Sequence, residues 1–160
     1  EVMAQRVRAI NPAIDALPLC GLYSAETRDV FFPPEGEQYA FVADCIDLVS
    51  CKLDLILTCR AREIPIISAL GTGNKKDAQL MQIADISQTY GDALARVMRK
   101  ELRRRGVEHH TVVFSPEEPM PAAQNEAPPP GRRSVPGSLI WVPATAGMLL
   151  CQHVVTELIK

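Results

Sequence analysis

Apolar positions along the chain change their spacing several times, and each change marks an element. Val2, Val7 and Ile10 recur at helical spacing with Arg6 and Arg8 on other faces, which predicts a helix ending at Asn11-Pro12. Residues 14–22 read as a strand, and the polar stretch after them carries a helical turn near 27–32. The short apolar run at 39–45 has the pattern of a strand buried on both faces. Helical spacing returns at 50–62, followed by a second buried strand at 64–70 that Pro65 opens. A further strand is expected at 80–86, a helix at 92–105 and a β-branched strand at 111–114. Residues 116–136, rich in Pro, Ala and Glu, read as a mobile loop. A last helix at 144–159 follows the apolar run Leu139 to Pro143. On the helix at 92–105, Leu94 and Val97 mark the expected buried stripe, while Arg96, Arg99, Lys100, Arg103 and Arg104 share one broad side.

Strands alternating with helices imply an α/β fold with a mostly parallel sheet and flanking helices. Ligands of such sheets sit beyond the carboxyl ends of the strands. Asp44 and Asp47 fall at one such end and Gly71-Thr72-Gly73-Asn74-Lys75 at the neighbouring one, so both are expected to face one crevice.

The 160 residues suffice for one domain with a real core. A net charge of −2 argues against a general polyanion binder. Hydrophobic content is 47%, yet no run of 18 apolar residues suggests a membrane span, and no signal-peptide pattern opens the chain. The five cysteines are an odd number without a Cys-x-x-Cys pair. That pattern suits reduced, buried thiols in a cytoplasmic protein better than a disulfide framework or a zinc site.

Each candidate residue has a functional and a structural reading. A carboxylate past a buried strand holds magnesium or a ribose hydroxyl, or Asp47 simply caps the next helix. Lys52 reaches an anion from that helix's first turn, or is a solvated side chain. The Gly71–Lys75 turn offers backbone groups to an ion, or is an ordinary turn. The basic side at 96–104 meets nucleic-acid phosphates, or is a solvated face. His109-His110 lacks a matching ligand set for a metal. The sequence contains neither GxGxxG nor GxxxxGK[ST], so the residues alone support a half-domain with a polar crevice and specify no reaction.

Several stretches together carry a resemblance. "EVMAQRVRAINP", "VADCIDLVSCK" and "IPIISALGTGNK" resemble successive segments of the adenylating family that activates ubiquitin-like proteins and sulfur carriers. "ALGTGNKKDAQLMQIADISQTYGDALARVMRKELRRRG", followed by "VVFSPEEP", is similar to the family's tRNA threonylcarbamoyladenosine dehydratase branch. The closing "PGSLIWVPATAGMLLCQHVV" resembles the family's last helix entry. The match leaves out only the loop from about Met120 to Arg133. Asp92-Ala93 replaces the usual Asp-Pro, and Leu48 stands where relatives often have Asn or Thr.

The resemblance implies a Rossmann-like fold that lacks its first nucleotide-binding strand–helix unit, residues 1–160 being the carboxyl-terminal part of an adenylating domain. It implies ATP and Mg²⁺ as cofactors and adenylation of the threonyl carboxylate, followed by cyclisation with loss of water. Asp47 takes the catalytic and metal role, with Lys52 and Asp44 beside it at the nucleotide. The implied partners are tRNA, a second copy of the chain in a homodimer, and a sulfur-transfer protein; the helical spacing and local charge of Arg99, Arg103 and Arg104 make those three the expected tRNA contacts. Because the family's Gly-rich loop has no counterpart in these 160 residues, they read as a fragment or a degenerate copy, inactive in isolation. Two alternatives stand beside this reading: adenylation of the carboxyl terminus of a ubiquitin-like or sulfur-carrier protein, and a non-catalytic binding remnant.

Overall fold

The computed structural model describes residues 1–32, 38–121 and 135–160. Its contacts divide the chain into two compact units, Glu1–Glu37 and Gln38–Lys160, where length alone suggests one domain. In the first unit, α1 (Val2–Ile10) forms as its spacing predicts and ends where the Asn11 amide bonds back to the Val7 carbonyl. A single helical turn, α2 (Arg28–Phe31), follows near the expected place. The strand expected at 14–22 is absent. Strand conformation needs a neighbour for its amides, none of the described strands pairs with this segment, and Pro18 has no amide to give. Leu17 and Leu22 accordingly stay exposed.

Among the described residues the second unit is built on four strands. In chain order its elements are β1 (Val42–Asp44), α3 (Val49–Ala61), β2 (Ile66–Ala69), β3 (Gln82–Asp85), α4 (Ala93–Arg104), β4 (Thr111–Phe114) and α5 (Trp141–Leu158). The sheet order is β1-β2-β4-β3. β1, β2 and β4 are parallel, with Asp44 opposite Ser68 and Ser68 opposite Val112. β3 runs antiparallel to β4. A parallel return needs a crossover, usually a helix. The link from β2 to β3 holds only a 3-10 turn at Ala78–Leu80, so the chain folds straight back.

Strand alternation feeds two cores, one on each side of the sheet. Val112 and Phe114 join Leu53 and Ile56 of α3 and Ala95, Met98 and Leu102 of α4 on one face. Val113 and Ile67 turn the other way, onto Val142, Ala146 and Leu150 of α5. The buried stripe of α4 is thus Ala95, Met98 and Leu102. Leu94 packs against its edge, and Val97, expected inside, is exposed. β1 is shorter than expected and lies at the sheet edge, with Ala43 exposed rather than covered on both faces. α5 starts three residues earlier than expected, because Pro143 sits in its first turn, where the missing amide costs nothing. Cys51 and Cys59 are buried as expected, whereas Cys20, Cys45 and Cys151 are exposed; all five are unpaired thiols. Most of the loop expected at 116–136 lies outside the described residues. No described helix is long and apolar enough to cross a membrane.

Candidate active site

The corner after β1 takes its shape from Asp44. Its Oδ1 accepts the Ile46 amide at 2.9 Å, which turns the chain out of the sheet. Its Oδ2 lies 2.6 Å from Lys52 Nζ. The same ammonium donates at 2.9 Å to the carbonyl of Ala69, the last residue of β2. Asp44 and Lys52 are 1% and 0% exposed, so this is a fully buried ion pair, not a solvated lysine. Lys52 therefore ties the carboxyl ends of β1 and β2 to each other. Asp47, three residues beyond Asp44, is exposed and lines the crevice between those ends, which neither Asp44 nor Lys52 lines. The N-cap of α3 is Leu48, one residue later than an Asp47 cap would place it.

The glycine turn is held as closely. Asn74 adopts φ 58°, a conformation Asn tolerates better than most residues. Its amide donates to the Gly137 carbonyl at 2.8 Å, and its Oδ1 accepts the Gly137 amide at 2.7 Å. A Cβ on Gly73 would stand 2.8 Å from Pro136 Cβ, so only glycine lets the Pro136–Ser138 segment lie on the turn. Lys75, 2% exposed, meets Asp92 Oδ2 at 2.6 Å and the Ser115 carbonyl at 2.7 Å. Asp92 also caps α4 through the Ala95 amide. Glu117 accepts the amides of Lys76 at 3.1 Å and Asp77 at 3.0 Å. Three separate stretches of the chain, Asn74-Lys75, Asp92 and Ser115 to Glu117, thus converge as the frame of one turn.

The crevice holds about 410 Å³, within the usual size of a small-molecule site. Asp47, Ile46, the glycine turn, Gly137 and the start of α5 line it. Cys45 also faces it; partial desolvation at the crevice wall first, then the neighbouring Asp44 charge, raises its thiol pKa. That keeps the sulfur protonated and a weak nucleophile. Among the described residues no three His, Cys, Asp or Glu side chains are placed to hold a metal. Among the described residues Asp47 is the one carboxylate lining the crevice, and one or two carboxylates are enough for a magnesium ion that also takes phosphate oxygens.

Sequence reasoning missed the buried Lys75–Asp92 pair and a second buried polar contact. Ser68 Oγ and His110 Nε2 are buried 2.8 Å apart, and Asp85 Oδ2 accepts the His110 amide at 3.2 Å. Burial lowers the imidazole pKa to about 4, so His110 is neutral at neutral pH. Ser68 has no motif or periodicity that would single it out, and the His109-His110 pair draws attention only as a weak metal-ligand candidate. Arg99, Arg103 and Arg104 lie away from the crevice, in a concavity on α4.

No family model matches the chain. The tRNA threonylcarbamoyladenosine dehydratase of Bacillus subtilis is 36% identical over 169 aligned positions, which take in 100% of this chain and 65% of that protein. Dehydratase 2 of Saccharomyces cerevisiae is 31% identical over 131 positions, or 81% of this chain and 29% of that protein. The E. coli tRNA N6-threonylcarbamoyladenosine dehydratase in complex with AMP superposes with a TM-score of 0.81 at 26% identity. That match covers 99% of this chain and 63% of the solved one. The complex with ATP superposes with a TM-score of 0.80 at 27% identity. The chain therefore spans under two thirds of the length of these relatives.

Proposed function

From a chain homologous over its whole length to the tRNA threonylcarbamoyladenosine dehydratases, we propose an ATP-dependent dehydration of threonylcarbamoyladenosine in tRNA. The observation that carries this reading is the crevice at the strand ends, where an exposed Asp47 faces the clamped glycine turn. It lies in a fold that superposes on a dehydratase solved with AMP and with ATP. The threonyl carboxylate oxygen attacks the α-phosphorus of ATP and pyrophosphate leaves. The modified nucleoside's own side chain then closes on the activated carbonyl and AMP departs with the oxygen, so the nucleoside loses one water. Asp47 would hold Mg²⁺, which offsets phosphate charge when bound. Asp44 and Lys52 serve the nucleotide indirectly, by fixing the corner that presents Asp47. Cys45, kept protonated, supplies no thioester, and this chemistry needs none. The same reading makes the protein a cytoplasmic homodimer acting where its tRNA is.

The test is the reaction itself. The complete protein carrying this sequence, given ATP and tRNA with threonylcarbamoyladenosine, should release AMP and leave a nucleoside lighter by one water in mass spectrometry. Absence of that product would overturn the function. Asp47→Ala should fold and lose the reaction, whereas wild-type turnover in a folded Asp47→Ala protein would remove Asp47 from its role.

A further inference from the structure

The buried stripe Ala95, Met98 and Leu102 fixes how α4 is rotated on the core. That rotation leaves Arg96, Arg99, Lys100, Arg103 and Arg104 as the lining of a concavity of about 360 Å³. The helix carries these five cations and one carboxylate, Glu101, in 12 residues, while the whole chain carries −2. Positive charge is thus concentrated on one wall of a protein that is slightly acidic overall.

The five cations are not equivalent. Arg99 Nη1 donates to the carbonyl and the hydroxyl of Thr89, at 2.7 and 2.6 Å. Thr89 is buried and bonded back to Ile86, so this guanidinium is held in place before any ligand arrives. Glu101 pairs with Arg104 at 2.8 Å and with Arg105 at 2.7 Å. Hydrogen bonding to Arg105 first, and the charge of both arginines, lower the Glu101 pKa, so it stays ionised and offsets them. Among the described residues, Arg96, Lys100 and Arg103 have no carboxylate partner.

We propose that this concavity seats backbone phosphates of the substrate tRNA, with Arg96, Arg99, Lys100 and Arg103 as the contacting set and Glu101 limiting its strength. The inference rests on the tRNA reading above and names the surface that meets the RNA. Among the described residues no aromatic or apolar side chain lines the concavity, so it offers bases no aromatic platform and its main offer is positive charge. It can take phosphate, and phosphate contacts position a nucleic acid without reading its sequence. Cations three and four residues apart advance about 4.5–6 Å along the helix, a spacing that lets neighbouring side chains engage successive phosphates of one strand. Exposed arginine and lysine pay for their ordering on binding, and the prior anchoring of Arg99 reduces that cost.

Filter binding of the complete protein to tRNA, from low to physiological salt, tests this in two directions. The triple variant Arg96→Glu, Lys100→Glu, Arg103→Glu leaves Arg99 on Thr89 and changes only exposed side chains. It should weaken binding at least about tenfold and flatten the salt slope by about 0.7–0.9 for each phosphate no longer neutralised. Glu101→Gln, which releases Arg104 and Arg105, should tighten binding about two- to threefold. In turnover the triple variant should raise KM for tRNA and leave KM for ATP unchanged. Wild-type and variant curves that coincide at every salt concentration would overturn the proposal. If cyclisation continues normally in the triple variant, the surface assignment fails and the function stands. If no cyclised nucleoside forms even in the wild type, the function fails first.

Discussion

Replacing Lys52 by methionine, which is similar in length and uncharged, isolates what the Asp44–Lys52 pair does. In the folded protein the change leaves a carboxylate that is 1% exposed with no cation beside it, and it removes the donor to the Ala69 carbonyl. Breaking a buried pair from one side costs about 3–5 kcal/mol, because the remaining charge stays desolvated. For a chain of this size that is a fall of about 6–20 °C in Tm. Adding Asp44→Leu removes the stranded charge, and an apolar pair in place of a buried ionic one is neutral or better by about 1–4 kcal/mol. The double variant should therefore recover most of the melting temperature. It should not recover activity, because the Ile46 amide no longer has the Asp44 acceptor that shapes the corner carrying Asp47. The assay is a thermal melt by circular dichroism beside ATP-dependent cyclisation for wild type, single and double variants. A Lys52→Met protein melting within 2–3 °C of wild type, a shift of about 1 kcal/mol, would refute the stability argument. Full turnover in the double variant would refute the positioning argument.

Two further outcomes follow from the buried frame. His110 has a folded pKa of about 4 against an ordinary 6.5, so between those values the unfolded chain binds more protons than the folded one. Its contribution is complete above pH 6.5 and is lost as pH falls to 4, by about 3 kcal/mol; the difference in denaturant midpoint between wild type and His110→Gln should vary with pH across that window, and a constant difference would show that His110 is not buried neutral. Gly91 has φ +70°, and a Cβ there would lie 2.2 Å from the Pro116 carbonyl oxygen; Gly91→Ala should cost about 2–4 kcal/mol in urea unfolding, and an unchanged midpoint would contradict the close approach.

How much of the fold was legible in the chain depends on the range of the physics involved. The helix at α3, the helix at α4 and the strand β4 were readable because spacing of apolar residues and local propensity act within a few residues. The Gly71–Lys75 turn and the Asp44–Asp47 corner could be placed at neighbouring strand ends for the same reason, once strand–helix alternation implied parallel pairing. The expected strand at 14–22 failed because a strand is stabilised by a partner, and an apolar run does not say whether one exists. Val97 and Met98 are adjacent and both apolar, so only the core beneath α4 could choose Met98 as the buried one.

Residues close together in the chain were enough to set the order of elements, the α/β class and the concentration of arginine on one helix. Which polar groups meet was settled by folding. Ser68 and His110 are 42 residues apart, and Asn74 and Gly137 are 63 apart. Lys52, which by composition belongs at a surface, is buried because folding brings Asp44 and the end of β2 to its ammonium. A charge or a buried hydroxyl is tolerated only where a partner offsets its missing hydration, and that partner is supplied by the topology.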